Sequence, residues 1–552
     1  MQKLISKYGL AAHLAILAVA PLFLFPFFAP AQIATAELWL CAVAVIWTLM
    51  EPSRRNDEML HDARTRVASS IVRDPLFWIM LTLVVLALVR WANGGIALKC
   101  DFNGGSPFWY LRDPSWKYLP GSVSGTGYPA FVAALVALAL TQGCGHGLGK
   151  TARIYFLFAA AVLAGVAALT AIVLCEFGNS EALRAVWCGN MTAASFVGTA
   201  FGMHLVGGIA ALVGTFECRW NRQMLLLLFA IGGNAAGLFF FAPTFVVLVF
   251  LTAALVSLLA SLAYAAVKMG VTPMAKCVAV LFMTLLIPVL IVMGVAFFGE
   301  KEHNGIAALV RTAKMTRNAE TVPVERAELA QCAMYLASMD RMAFASDGAL
   351  FPGHFTTRRA TLSGVARRIW GEHPWLGSGL GSYHLALRFS ATPEDWQVLN
   401  PGKDEHSLPE RLKAGFEDAG DREKPEGFVT MPTEWGSIGA ERAGVPFCGW
   451  WLLLAERGLI GAVCLAVALG CLLFNFTRRL IGALGRSMFV PSCVTGVVVL
   501  LALVVETFVD ASFLRPEVLA TAAAFLAVSA SSFPAPRKPA GPTDGEKTQE
   551  NK

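Results

Sequence analysis

Charge is what this chain has least of. Asp, Glu, Lys and Arg make up 15% of its 552 residues, while 56% are apolar; an ordinary soluble domain carries about 25% charged residues. That excludes a soluble globular protein, and a net charge of only +6 makes no nucleic-acid partner expected. Metal-binding patterns are missing as well. None of the twelve cysteines forms a CxxC pair or a metal-ligand spacing, so neither a zinc site nor any other metal site is expected. Eight of them (Cys41, Cys144, Cys175, Cys218, Cys277, Cys464, Cys471, Cys493) lie in or at the ends of apolar runs, where cysteine acts as a small hydrophobe. Cys100, Cys188 and Cys332 lie in polar loops and Cys448 at the edge of one; a Cys100–Cys188 bridge and free thiols both remain open.

Nucleotide loops are missing too. HGLGKT at 146–151 has Cys144 where a phosphate-binding loop needs its first glycine, and it follows an apolar helix instead of a strand. The glycines of HPWLGSGLGSY have no strand-to-helix context for a dinucleotide. NMT at 190–192 matches a glycosylation acceptor but opens an apolar run.

What the chain does have is apolar runs long enough to span a bilayer, which needs roughly 20 residues. They fall at 9–29, 35–50, 75–94, 128–144, 154–176, 192–216, 224–241, 244–266, 277–298, 458–475, 488–509 and 516–533. The first follows Lys3 and Lys7 and exceeds a signal-peptide core, so it is read as a span. Numbered alternately, the runs put the arginines of 54–73, Lys150 and Arg153, Arg219 and Arg222, Lys268 and Lys276, Arg478, Arg479 and Arg486, and Arg537 and Lys538 on one side. By the positive-inside rule that side is cytoplasmic. The expected fold is therefore an all-α polytopic membrane protein of about twelve spans. Residues 1–299 hold spans one to nine, 300–444 form one large, partly helical outer loop, 445–533 hold spans ten to twelve, and 534–552 are a cytoplasmic tail, so both termini are cytoplasmic.

Within the loop, Gly305–Arg317 aligns Arg311, Lys314 and Arg317, while Ala327–Met342 and 361–372 have helical patterns. Residues 393–442 are acidic, rich in Pro and Gly, and lack periodicity, as in an ordered insertion or a lid. The stretch Arg359–Gly381, RATLSGVARRIWGEHPWLGSGLG, is basic, aromatic and punctuated by Gly377, Gly379 and Gly381, which permit tight turns or close backbone approach to a ligand.

Arg359 stands fourteen residues before His373 of HPWLGSGLGSY, and LLAERGLIG follows at 453–461 at the opening of a membrane helix. This combination resembles the O-antigen ligase and O-antigen polymerase family, which carries an HPLLGxGxGxF segment in one outer loop and LAExGxxG at the next span. The resemblance covers some 25 residues plus nine, and the span layout agrees with it.

The resemblance implies an inner-membrane, multi-pass protein of a Gram-negative-like cell envelope, with the 300–444 loop periplasmic. It implies metal-independent, inverting glycosyl transfer without a cofactor, from a glycan on undecaprenyl diphosphate to lipid A-core or another saccharide. Such a reaction needs cations on the leaving diphosphate and a base for the acceptor hydroxyl. Arg359 matches the family's loop arginine, and a planar guanidinium suits phosphate oxygens. Arg358, Arg367 and Arg368 could assist, with Gly377, Gly379 and Gly381 in the substrate-facing loop; anchoring to anionic headgroups is the alternative for the arginines. Glu456 matches the family's glutamate and could cap the helix or orient an arginine. His373 is read as a packing or hydrogen-bonding residue, as is His384.

Two positions depart from the family. Phe447 stands where it has its histidine base, and the arginine expected near Ala242-Pro243 is missing. A substitute base could come from Glu441, nearest in sequence, or from Glu434 or His406. Alternatively the chain binds lipid-linked glycan without transferring it. A small-anion transporter is a third reading, opposed by the few charges expected inside the spans.

Overall fold

The computed structural model describes residues 2–25, 30–50, 74–93, 96–99, 108–111, 126–142, 150–176, 191–217, 223–242, 244–269, 352–383, 428–429, 448–484, 491–509 and 514–530, with a few isolated positions between them. Outside these lie Glu441, Glu434, His406, His384, Phe447, Cys100, Cys188, Cys332, the 305–317 and 327–342 segments, nearly all of 393–442, the tail 534–552, and span nine apart from positions 278, 282 and 290.

Helices dominate: α1 Gln2–Leu24, α2 Pro30–Met50, α3 Pro75–Ala92, α4 Gly127–Gln142, α5 Lys150–Glu176, α6 Met191–Glu217, α7 Met224–Phe241, α8 Thr244–Met269, α9 Pro352–Glu372, α10 Gly449–Leu484, α11 Pro491–Val509 and α12 Pro516–Ala530. Seven carry stretches long and apolar enough to cross a membrane, and α1, α4, α11 and α12 hold shorter apolar ones. Punctuation sets their ends. Pro75 opens α3, and Asp74 Oδ1 caps it by accepting from the Leu76 N–H at 3.0 Å. Pro243 separates α7 from α8 at the expected break.

The all-α, membrane-type bundle is as the sequence reading has it, with one small addition: β1 Ile96–Lys99, β2 Phe108–Leu111 and β3 Phe428–Val429 form an antiparallel sheet in the order β1-β2-β3. Its β2 strand is FWYL, aromatic residues that favour extended chain, and the β2–β3 pairing joins the loop after α3 to the 393–442 insertion. Helix α10 also runs from Gly449 to Leu484, well beyond 458–475 on both sides, with a break at Gly458.

The bundle is organised around α6, whose Phe196–Thr215 stretch is buried throughout. It packs on α5, α7, α8 and α11. Close approach of α5 and α7 requires glycine: a Cβ at Gly233 would stand 2.7 Å from the Gly165 carbonyl oxygen. Asn234 spans the same seam, donating to Ala161 O at 2.8 Å.

Side-chain contacts sort the helix ends. Phe25 meets Phe196, Tyr128 meets Trp91 and Thr35, and Trp450 meets Phe508. The last residues of α1, α3 and α11 and the first of α2, α4, α6 and α10 therefore share one end. Tyr8–Tyr155 and His13–Leu40 O pair residues further down. Successive helices alternate in direction, as crossing a membrane requires. Buried ionisable residues within these helices outnumber the sequence expectation: Glu37, Arg90, Arg153, Glu506 and Glu517 are all under 9% exposed. Internal charge is therefore not scarce enough in these helices to oppose transport strongly.

Candidate functional site

A broken helix exposes backbone groups on both sides of the break. Gly458 has φ 67° and ψ −173°, which interrupts α10 directly after LAER. The carbonyls of Ala455, Glu456 and Arg457 lose their continuing helix there, and so do the N–H groups of Leu459 and Ile460. The segment Pro374–Gly379 supplies the partners. Ser378 N donates to Ala455 O at 2.8 Å and Gly379 N to Glu456 O at 3.1 Å. In return, Pro374 O accepts from Leu459 N at 2.9 Å and Trp375 O from Ile460 N at 3.2 Å. Ser378 Oγ adds a bond to Ala455 O across 77 residues of sequence. HPWLGSGLGSY and LLAERGLIG are thus one structural unit.

Backbone packs on backbone here, and that is what the glycines are for. A Cβ on Gly377 (φ 69°) would stand 2.5 Å from the Glu456 carbonyl carbon, and one on Gly458 would stand 2.4 Å from Trp375 O. Gly381 (φ 71°) faces Thr126, whose hydroxyl donates to Leu380 O at 3.1 Å. Gly377 and Gly381 therefore meet protein, not open space. Gly379 also has positive φ, at 117°.

Arg90, near the end of α3, locks the junction. Its Nη1 donates to Glu456 O at 3.0 Å, and its Nη2 donates to Leu376 O at 2.5 Å and Arg457 O at 3.2 Å. One buried guanidinium so satisfies carbonyls from both the broken helix and the docked loop. The sequence reading did not single out Arg90; a lone arginine ending an apolar run was its only signal. The Glu456 side chain turns the other way and accepts from Tyr383 N at 3.3 Å and from the Gly381 backbone.

Tyr383 carries the junction on to α9. It is fully buried and donates from its hydroxyl to Leu362 O at 3.0 Å. Burial pushes its phenol above the ordinary range, and Glu456 pushes it the same way. It remains a neutral donor. Helix α9 begins nine residues before the 361–372 expected, and lays Leu362, Val365, Ala366 and Ile369 against the bundle, a helical stripe, with Trp370 packed on Trp451.

The arginines sit along this helix. Arg367 and Arg368 are exposed and off the buried stripe; Arg368 bonds Asp395 and donates to Ser390 O at 2.9 Å. Positions 358 and 359 lie within α9. Helical rise puts position 359 about 20 Å from the His373 turn, so Arg359 is not part of the loop junction. His373 is exposed and caps the end of α9 through its backbone: its N–H bonds Trp370 O at 3.1 Å and its carbonyl accepts from Gly377 N at 2.9 Å. Trp375 is 64% exposed, and Leu459, Ile460 and Val463 of α10 are exposed as well. No group of three or more metal-ligating side chains occurs among the described residues.

No protein-family description matches this chain, and no curated protein matches it.

Proposed function

We propose that this protein is an O-antigen ligase-like membrane glycosyltransferase, moving or polymerising a glycan from undecaprenyl diphosphate at the periplasmic face of the bacterial inner membrane. The observation that carries the proposal is the junction: the two segments on which the family resemblance rests are hydrogen-bonded to each other at one end of a membrane-type helical bundle. The basic helix α9 leads directly into it. The positive-inside pattern of the connectors assigns that end to the periplasm.

In this reading Arg359 holds the donor diphosphate, where charge builds as the glycosyl bond breaks, and Arg358, Arg367 and Arg368 only assist. Arg90, Glu456 and the glycines hold the loop, and His373 terminates α9. Glu441 takes the acceptor proton in place of the family's histidine. Acceptors are lipid A-core or a saccharide.

The test is transfer by the purified full-length protein in nanodiscs, given an undecaprenyl-diphosphate oligosaccharide and a lipid A-core acceptor, together with a deletion strain assayed for surface polysaccharide. Product formation that Glu441→Ala abolishes supports the proposal. Phe447 favours one competing reading, a binding or assembly component. Donor binding without transfer, with a deletion phenotype that Glu441→Ala complements, would establish that reading instead. Unchanged surface glycan with altered anion uptake would establish transport.

A further inference from the structure

The α10 break carries a second arginine that the junction does not use. Arg457 directly precedes Gly458 and is part-buried, and among the described residues its side chain makes no hydrogen bond and no ion pair. Glu456 beside it does not pair with it: that carboxylate accepts from Tyr383 N at 3.3 Å and from the Gly381 backbone. Arg90 adds to the positive charge. Its Nη2 donates to Arg457 O at 3.2 Å, and its other partners are the carbonyls of Glu456 and Leu376, which are neutral. The break therefore gathers two guanidiniums against one carboxylate. A part-buried guanidinium without a partner is costly, and within a span it points to a ligand.

The next turn holds the stem of Arg457 in place. A Cβ at Gly461 would stand 2.6 Å from Arg457 Cβ and 3.7 Å from its Cγ and Cδ, so the arginine fills the room a side chain at 461 would take. The surroundings set its depth. Trp91 on α3 and Trp375 in the docked loop are exposed at this end of the bundle, and Trp450 and Trp451 open α10. Tryptophan concentrates at the headgroup level of a bilayer. Just past the break Leu459, Ile460, Val463 and Val467 are exposed and apolar. A soluble anion would leave that surface bare, whereas a lipid phosphate brings acyl chains that cover it. The planar fork of arginine suits the phosphate oxygens.

We propose that Arg457 binds the phosphate of a membrane phospholipid at the α10 break, with the acyl chains lying along Leu459, Ile460, Val463 and Val467. The bound anion offsets the excess positive charge beneath the docked loop and so steadies the junction that Arg90 and the glycines build. The site is separate from the proposed donor site, because helical rise puts position 359 about 20 Å from the His373 turn. It stands without any glycan chemistry.

The test is native mass spectrometry of the full-length protein, delipidated in detergent and supplied with phosphatidylglycerol, with a phosphate-free galactosyl diacylglycerol of the same chains, with undecaprenyl diphosphate, or with inorganic phosphate. Wild type is expected to hold phosphatidylglycerol about tenfold more tightly than the galactolipid. Arg457→Gln should lose that preference, Arg457→Lys should keep part of it, and Arg478→Gln, at the far end of α10, should keep all of it. Gly461→Ala keeps the charge but displaces the stem, and should weaken phosphatidylglycerol binding at least about threefold. No headgroup preference in wild type, or the same preference in Arg457→Gln, would overturn the site. Displacement of the lipid by equimolar inorganic phosphate would make it a soluble-anion site instead, and displacement by equimolar undecaprenyl diphosphate would reassign it to the donor lipid. If Arg457→Gln does not fold, Gly461→Ala and Arg457→Lys decide.

Discussion

Arg90 and Glu456 are 366 residues apart, and the guanidinium of the first holds the backbone carbonyl of the second at 3.0 Å. The bond is one of three that Arg90 makes to carbonyls around the α10 break. Replacing it with methionine keeps most of the side chain's volume but strips all three carbonyls of this donor. Each buried polar group left unpaired costs about 1–3 kcal/mol, so Arg90→Met should lower the unfolding free energy by about 3–5 kcal/mol. Arg90→Lys should recover less than half of that, because an ammonium cannot reproduce the fork that reaches Leu376, Glu456 and Arg457 together. Denaturant unfolding of the detergent-solubilised protein measures both.

Gly458→Ala attacks the same junction from the other side. Its φ of 67° with ψ −173° is a conformation essentially confined to glycine, costing another residue roughly 1–3 kcal/mol. The new Cβ would also lie 2.4 Å from Trp375 O, so the docked loop would have to lift. A loss of more than about 2 kcal/mol is expected, with faster proteolysis within 374–383. Gly470→Ala is the control. It lies further along the same helix with nothing within 4 Å of its Cβ position, and should be neutral or slightly stabilising. Equal effects at both glycines would mean that the break is not held by the loop.

The spans were the most legible part of the fold. Period and length alone place α7 at 224–241, and the Ala242-Pro243 pair in the sequence falls between α7 and α8. The α10 break was not legible, because Gly458 follows Glu456 and Arg457 at the first position of the expected 458–475 run, where a glycine reads as the opening of a span. Only the tertiary partner, eighty-odd residues earlier, turns it into a break. Arg90 was invisible for a related reason: its partners are backbone carbonyls, which leave no mark in sequence. The glycines of HPWLGSGLG were legible as turns, but not their neighbours, the α10 backbone at Gly377 and Thr126 at Gly381. The extent of α9 was missed because its first turn carries no capping pattern.

Tyr383 gives the junction a pH signature. Its phenol is pushed upward by burial and by Glu456, so the folded state keeps the proton after the unfolded chain has lost it. The unfolded phenol titrates near 10. Below that pH both states are protonated and Tyr383 adds no pH dependence. Above it, stability should fall by about 1.4 kcal/mol per pH unit from this group. Tyr383→Phe should remove that part of the alkaline slope. At neutral pH it should cost about 1 kcal/mol for the lost bond to Leu362 O. An unchanged alkaline slope would place Tyr383 in contact with solvent.

Arg359 and Arg368 separate the structural from the chemical role of α9. Arg368 is half-exposed and already paired with Asp395, an arrangement worth less than about 1 kcal/mol, and Arg368→Ala should change stability by no more than that. Position 359 lies on α9, three residues before Leu362. If a donor diphosphate is held there, Arg359→Ala should reduce transfer at least tenfold, about 1.4 kcal/mol of barrier, at unchanged melting temperature. Arg368→Ala should retain transfer within about threefold, since its guanidinium is held by Asp395 and Ser390. The reverse order of effects would move the diphosphate to the exposed face of α9. Two alanine variants that transfer like wild type would take the helix out of the chemistry altogether.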